Sequence, residues 1–154
     1  MDSTAIILAY LGVAFMIGLS GAASAIGTSI SGQAAVGSMK KNPDAFGSYM
    51  ILTALPGSQG LYGFVSFFMV TSIFNLISDN TTMLQGAAVL GIGILSGVVN
   101  LAASIYQGQV CANGITAIGG GHDVMGKTLI MAAFPELYAI LTVAATFMIG
   151  GAVA

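Results

Sequence analysis

Four long apolar runs separated by short polar breaks dominate the pattern of this chain. Each run exceeds the about 20 helical residues that cross a bilayer. Because the breaks are so short, neighbouring helices must run antiparallel. The pattern therefore predicts an all-α membrane protein with four transmembrane helices. The apolar runs cover roughly 5–38, 46–78, 84–118 and 126–153, and the breaks lie at 39–44, 79–82 and 119–123.

The composition agrees with lipid as the solvent. Of the 154 residues, 5% are charged and 56% are hydrophobic, a balance that a soluble domain could not place on a water-facing surface. Apart from Lys40 and Lys41 there is no basic patch, which argues against nucleic acid as a partner. The single cysteine, Cys111, can form no disulfide within the chain, and we expect it to pack as a small apolar residue.

The lysines predict an orientation in the membrane. Lys40, Lys41 and Lys127 lie in or beside the first and third breaks. Because lysine-bearing loops stay in the cytoplasm, loops 39–45 and 119–125 are expected there, with both termini outside. The first four residues carry no positive charge ahead of the apolar run, so we expect a retained first helix rather than a cleaved signal.

The chain contains an internal repeat. A shift of 79 residues places the second half on the first without reversing helix direction, so the halves are parallel rather than inverted repeats. We expect two tandem transmembrane hairpins, 1–78 and 79–154, descended from a hairpin that assembled with copies of itself. The matched pairs include Leu11 and Leu90, Gly12 and Gly91, Gly18 and Gly97, Asp44 and Asp123, and Pro56 and Pro135.

Small and large residues are distributed unequally among the predicted helices. Glycine and alanine crowd the first and third runs, whereas phenylalanine and tyrosine favour the second and fourth. In lipid, small residues let helix backbones approach closely. A wall of thin helices inside a layer of bulkier ones would explain this asymmetry, and a ring of subunits has that shape.

One carboxylate lies deep in the predicted membrane. Glu136 is about ten residues into the fourth helix, roughly 15 Å from its end. A charge at that depth costs several kcal/mol unless it is protonated or paired, and intramembrane acids usually serve a function. A structural glutamate hydrogen-bonded between helices is the alternative.

Other oxygen-bearing side chains are expected at the depth of Glu136. Ser58 and Gln59 lie about a dozen residues into the second helix, and Gln107 about a dozen before the end of the third. With Tyr62 one turn from Ser58, they form an oxygen-rich set that suits a hard cation. Taken singly, Ser58 is explained by helix packing and Tyr62 by an interfacial position.

Prolines lie beside this set in both halves. Pro56 and Pro135 each remove a helical hydrogen bond and leave the carbonyls of Leu52 and Met131 without their usual donors. A plain helix kink is the alternative explanation. In the repeat register Gly57 stands where the second half has Glu136, so one carboxylate serves four helices.

The sequence offers no machinery for covalent catalysis. It has no Cys/His cluster, no phosphate-binding loop and no nucleophile with a base. His122, the single histidine, falls in the glycine-rich third break and is expected to be solvated. We therefore expect no nucleotide bound by this chain and no catalytic site of its own.

Three segments carry a resemblance to a known family. Leu55-Pro56-Gly57-Ser58-Gln59-Gly60-Leu61-Tyr62-Gly63, Tyr106-Gln107-Gly108-Gln109-Val110 and Pro135-Glu136-Leu137-Tyr138-Ala139-Ile140 closely resemble the proteolipid (K or c) ring subunits of V-type rotary ATPases, most of all the bacterial sodium-translocating type. The resemblance covers nearly the whole chain. It implies a rotor ring of identical subunits in a bacterial plasma membrane, turned by an ATP-hydrolysing head through central-stalk subunits that meet the cytoplasmic loops.

The resemblance also implies an ion site and a further partner. The backbone carbonyl of Leu55 and the side chains of Ser58, Gln59, Gln107 and Glu136 would ligate one Na⁺, with Tyr62 hydrogen-bonded to the carboxylate. A stator membrane subunit with an arginine would draw Glu136 from its ion. Two departures from close relatives are Ser58 in place of threonine, which keeps the hydroxyl, and Pro135 directly before the glutamate, which we expect to alter the local helix.

The residues leave two alternatives open. Glu136 could carry H⁺ instead of Na⁺, although a proton would not need two glutamines and a hydroxyl, whereas a metal ion needs its hydration shell replaced. A stand-alone small-molecule transporter is the rival from another class, ahead of a structural channel or scaffold. Such a transporter would show several intramembrane polar sites and mirrored broken helices.

Overall fold

The computed structural model describes residues 3–154, a range that is mostly helical and contains no strand. Met1 and Asp2, the start of the terminus expected to face outward, lie outside the described residues. A 3₁₀ turn at Pro43–Ala45 joins the first two helices. The α-helices are α1 (Ser3–Met39), α2 (Phe46–Ala54), α3 (Ser58–Phe68), α4 (Met83–Gly119) and α5 (Met125–Val153).

Three helices, α1, α4 and α5, are long and apolar enough to cross a membrane. With 37, 37 and 29 residues, they measure about 55, 55 and 43 Å at a rise of 1.5 Å per residue. The hydrocarbon core of a bilayer is about 30 Å thick. Three of the four predicted spans are thus confirmed as helices of sufficient length and apolarity.

The second predicted span differs from the expected single α-helix. The chain is helical from 46 to 73, but a 3₁₀ turn, Leu55–Gly57, separates α2 from α3. Pro56 explains this turn, because it lacks the N–H that would bond to the carbonyl of Leu52. We call 46–73 the composite helix.

The composite helix ends earlier than predicted, at Ile73 rather than at 78. Its last turn is π-helical, Met69–Ile73. Asn75 then adopts a left-handed backbone with φ of 49°, through which a right-handed helix cannot continue. Thr81 closes the following loop by donating its hydroxyl to the carbonyl of Leu76 at 3.0 Å.

Local signals explain the bounds of α4. Thr82 accepts a hydrogen bond from the backbone of Gln85, and the Gln85 side chain accepts one from the Thr82 backbone, which forms a capping box. At the other end Gly121 has φ of 89°, a conformation suited to glycine.

Glycine contacts join α1 and α4, which share the most extensive helix–helix contact in the described chain. A Cβ added at Gly12 would overlap the backbone of Val89, and one at Gly93 would overlap the backbone of Gly12. The same holds along the pair, so no side chain separates the two backbones at these points. The glycines of α4 that approach α1 in this way are Gly86, Gly93, Gly97 and Gly108.

The remaining elements cover one side of the α1–α4 pair. The composite helix packs on α1, and α5 packs on α4 and on α3. Cys111 is fully buried in the core with Leu52 and Ile115, as its apolar character predicted. This arrangement brings α3, α4 and α5 together around one cluster of polar side chains.

Candidate functional site

Glu136 lies on α5 and is partly buried where α5 faces α3 and α4. The expected disturbance at Pro135 is small, because α5 stays α-helical through the proline. One turn earlier the Ala132 carbonyl accepts a hydrogen bond from Gln107 Nε2 at 2.9 Å. The carboxylate is therefore held on a regular helix beside α4.

Both oxygens of the Glu136 carboxylate accept a hydrogen bond. Tyr62 Oη on α3 donates to Oε1 at 2.5 Å, and Gln107 Nε2 on α4 donates to Oε2 at 2.5 Å. Hydrogen bonds to a carboxylate are shorter and stronger than those between neutral groups. The two donors come from different helices and fix the carboxylate between them.

Gln59 extends this network and leaves one oxygen without a donor. Its Nε2 donates to Gln107 Oε1 at 2.8 Å, and both glutamines are at most 1% exposed. Gln59 Oε1, however, has no hydrogen-bond partner among residues 3–154. Since buried polar atoms are nearly always partnered, this oxygen is available to an external donor or a cation.

Ser58 and Leu55 lie beside the network but are not hydrogen-bonded to it. The Ser58 hydroxyl donates to the Leu55 carbonyl at 3.0 Å, because a helical serine readily reaches the carbonyl of the preceding turn. Both residues line an open groove that Glu136 also lines. The structure thus hydrogen-bonds four of the predicted site residues together, namely Glu136, Tyr62, Gln107 and Gln59.

Two serines that the sequence analysis did not single out secure the 3₁₀ turn. Ser104 Oγ on α4 donates at 2.7 Å to the carbonyls of both Ala23 and Pro56. Ser24 Oγ on α1 donates to the Gly57 carbonyl at 2.9 Å and accepts from the Gly60 backbone at 2.7 Å. These bonds position the helix that carries Gln59 and Tyr62. The signal was serine within small-residue stretches, which packing alone also explains.

The chemistry of the cluster suits a monovalent cation. Its groups comprise one carboxylate together with neutral amide, hydroxyl and carbonyl oxygens. Within residues 3–154 no three His, Cys, Asp or Glu side chains come together in the manner of a transition-metal site. A single negative charge among oxygen ligands balances one positive charge.

Comparisons with known proteins point in the same direction. Residues 11–70 and 90–149 each match the family of the ATP synthase C subunit. The two matched segments are 79 residues apart, which confirms the predicted internal repeat.

Two relatives are similar over most of the chain. The V-type sodium ATPase subunit K of Enterococcus hirae is 37% identical over 143 residues, which cover 93% of this chain and 90% of the relative. The A-type ATP synthase subunit K of Methanocaldococcus jannaschii is 30% identical over 147 residues, covering 94% of this chain and 63% of the relative.

Proposed function

Because this chain belongs to the family of the ATP synthase C subunit, we propose that it is a membrane rotor-ring subunit that carries Na⁺ on Glu136 in a V-type ATPase. A soluble head would couple this transport to ATP hydrolysis or synthesis. The names of the two relatives, a sodium ATPase subunit and an ATP synthase subunit, support the assignment. Identical subunits, a stator membrane subunit and central-stalk subunits are its expected partners.

The proposed topology has four spans in two hairpins, 1–78 and 79–154. The composite helix would form the second span, since its 28 helical positions from 46 to 73 extend about 40 Å even with its irregular turns. Lys40, Lys41 and Lys127 are all exposed. They support cytoplasmic loops at 39–45 and 119–125, with the termini outside.

In this proposal Na⁺ is the cargo and sits among the oxygens around Glu136. Gln59, Gln107, Ser58 and the Leu55 carbonyl supply neutral ligands, and Tyr62 holds the carboxylate by its hydrogen bond. The observation that carries the proposal is the buried Gln59 Oε1, which has no donor in the described chain. Leaving such an atom unpaired costs about 1–3 kcal/mol, and a bound cation removes that cost. A proton on Glu136 would not, which favours Na⁺ over H⁺.

Ion occupancy would control rotation through charge. An empty Glu136 is an anion, and a charged side chain facing lipid costs at least about 2.5 kcal/mol. With Na⁺ bound, the site is neutral and free to pass through lipid. Each copy would therefore lose or gain its ion only beside the stator, and each ion transferred would advance the ring.

Carbodiimide labelling of Glu136 in the purified ring tests the proposal, because the reagent modifies the protonated carboxyl. At mildly acid pH we expect Na⁺ to slow labelling in competition with protons, and K⁺ at the same concentration to have no effect. Labelling that is fast and indifferent to Na⁺ would show that the rotor carries protons. A chain that purifies as a monomer or dimer would exclude the ring and favour a stand-alone transporter.

A further inference from the structure

The internal repeat separates the exposed residues of α1 into two classes. In the first class, the counterpart 79 residues later is a residue of α4 that is buried. In the second class, both members of the pair are exposed, as for Gly37 and Thr116. The pairs of the first class are Ala14 and Gly93, Gly18 and Gly97, Gly21 and Asn100, Ala25 and Ser104, and Ser29 and Gly108.

The same relation holds in the opposite direction. Exposed residues of α4 correspond to residues of α1 that are buried against α4 within the chain. Gly91 corresponds to Gly12, and Ala102 to Ala23. Each of the two helices therefore exposes the face that its repeat counterpart buries.

A groove between α4 and α5 shows what such a face would accept. It has a volume of about 480 Å³, and Val99, Ala102, Tyr106 and Tyr138 are among the residues that line it. The corresponding surface of the first hairpin is filled inside the chain by Ser104, whose hydroxyl reaches the carbonyls of Ala23 and Pro56. The counterpart of Ser104 is Ala25, which is exposed on α1.

We propose that the groove receives α1 of a second copy of this chain, in the register that α4 adopts on α1 within one chain. Ala25 of the next copy would enter where Ser104 lies in the internal contact, and Gly21 of the next copy would face Val99. This inference rests on the proposed ring and specifies its seam. Two exposed faces that match the two faces of an existing contact commit the occupant to another copy.

The seam brings together the counterparts of the ion-site residues. Thr28 and Gly57 correspond to Gln107 and Glu136, and they already lie side by side, since a Cβ at Gly57 would be 3.5 Å from Thr28 Cγ2. Tyr138, 64% exposed, corresponds to Gln59. In the seam, Tyr138 of one copy would cover Thr28 and Gly57 of the next. The phenol would close a position that has no carboxylate, so each copy binds one ion.

One residue makes the seam wider than the internal contact. Tyr106 stands where the first repeat has Gly27, and its ring is 62% exposed. The internal contact is closest near Gly27, where a Cβ would meet the Ser104 hydroxyl and the Pro56 ring. The seam must open at Tyr106, whereas Gly21 and Val99, about two turns away, keep the close approach.

Cysteine cross-linking tests the register. With Cys111→Ala as background, the pair Gly21→Cys and Val99→Cys should form disulfides between copies on oxidation and yield a ladder of multimers in denaturing gels, because their counterparts Ser20 and Asn100 are hydrogen-bonded at 2.9 Å. Gly21→Cys with Leu95→Cys, one turn along the same face, is the matched control. A ladder from the control pair alone would overturn the register.

Intact ring that yields no ladder from the first pair would overturn the seam and leave the proposed function standing. A wild-type chain that forms no ring would overturn both. Gly21→Leu and Gly37→Leu provide a second measurement that needs no cross-link, since neither glycine has an atom within 4 Å of an added Cβ inside the chain. Ring assembly should fall at least tenfold for Gly21→Leu and stay unchanged for Gly37→Leu; equal assembly of both would contradict the seam.

Discussion

The two hairpins share one architecture but treat the position of the acid differently. In the second hairpin Glu136 accepts hydrogen bonds from Tyr62 and Gln107. In the first, Gly57 occupies that position, and its carbonyl accepts a hydrogen bond from Ser24. The backbone at Gly57 is thus used for helix packing, whereas the side chain at Glu136 is used for the site. Duplication can keep a contact between helices while it releases the chemistry in one half.

The largest effect is expected from Glu136→Gln, which makes the second hairpin resemble the first in charge. The amide keeps the size of the carboxyl but cannot balance a cation. We expect ion transport to be abolished and the ring to assemble normally, because no packing contact is lost. Transport by reconstituted enzyme and the size of the detergent-solubilised ring would be measured together. Sustained pumping by this variant would falsify the role of Glu136.

A smaller loss is expected from Gln59→Met, which removes the unpartnered amide oxygen and keeps the side-chain length. Interactions of polar groups with a charge contribute about 1.5–3 kcal/mol, so protection of Glu136 from carbodiimide should need about 10- to 100-fold more Na⁺. Ser66→Ala, two turns along α3 and away from the site, is the control. If the Gln59→Met and control rings need the same Na⁺ concentration, Gln59 is not a ligand.

Tyr62→Phe should weaken Na⁺ binding by about tenfold, since one hydrogen bond to a charged group is lost while the aromatic ring remains. The phenol donates to the carboxylate and supplies no ligand in the proposal, so its removal should affect affinity less than Gln59→Met. Equilibrium binding of ²²Na⁺ to the purified rotor ring would measure the difference. A greater loss for Tyr62→Phe than for Gln59→Met would instead place the phenol oxygen at the ion.

No recovery is expected when the acid is moved to the first hairpin, in the double variant Gly57→Glu with Glu136→Gln. The transferred carboxylate would face Thr28 and the next copy's Tyr138, rather than two glutamines. Transport should remain as low as in Glu136→Gln alone, with ring assembly checked in parallel. Recovery of Na⁺ transport would show that the carboxylate suffices without the glutamine pair, and would remove the main argument for Na⁺ ligands.

Much of this organisation is predictable from sequence because lipid restricts the choices. Apolar run length indicates the helices, and the register of 79 residues shows the duplication. The depth of Glu136 along its helix is a matter of counting residues, and the same count places Gln59 and Gln107 nearby. These predictions depend on rise per residue and on repeat spacing, which hardly vary between helical proteins.

The details that sequence did not predict depend on competition between local hydrogen bonds. The Ser58 hydroxyl bonds to the Leu55 carbonyl instead of Glu136, and the composite helix ends at Ile73 because Asn75 turns left-handed. Asn100, fully buried on α4, donates to Ser20 and Ser96, a polar contact that no spacing rule singled out. Such choices depend on how each helix is rotated about its axis, which apolar patterns determine only coarsely.

The glycine contact between α1 and α4 has a mechanical consequence. Where Gly12 meets Gly93, backbone touches backbone, and no rotamer change can absorb a displacement of one helix against the other. Close-packed protein has low compressibility and transmits strain. A tangential force applied to one hairpin at Glu136 would therefore reach the other hairpin with little elastic lag, so the subunit would act as a rigid tooth of a gear rather than as a spring.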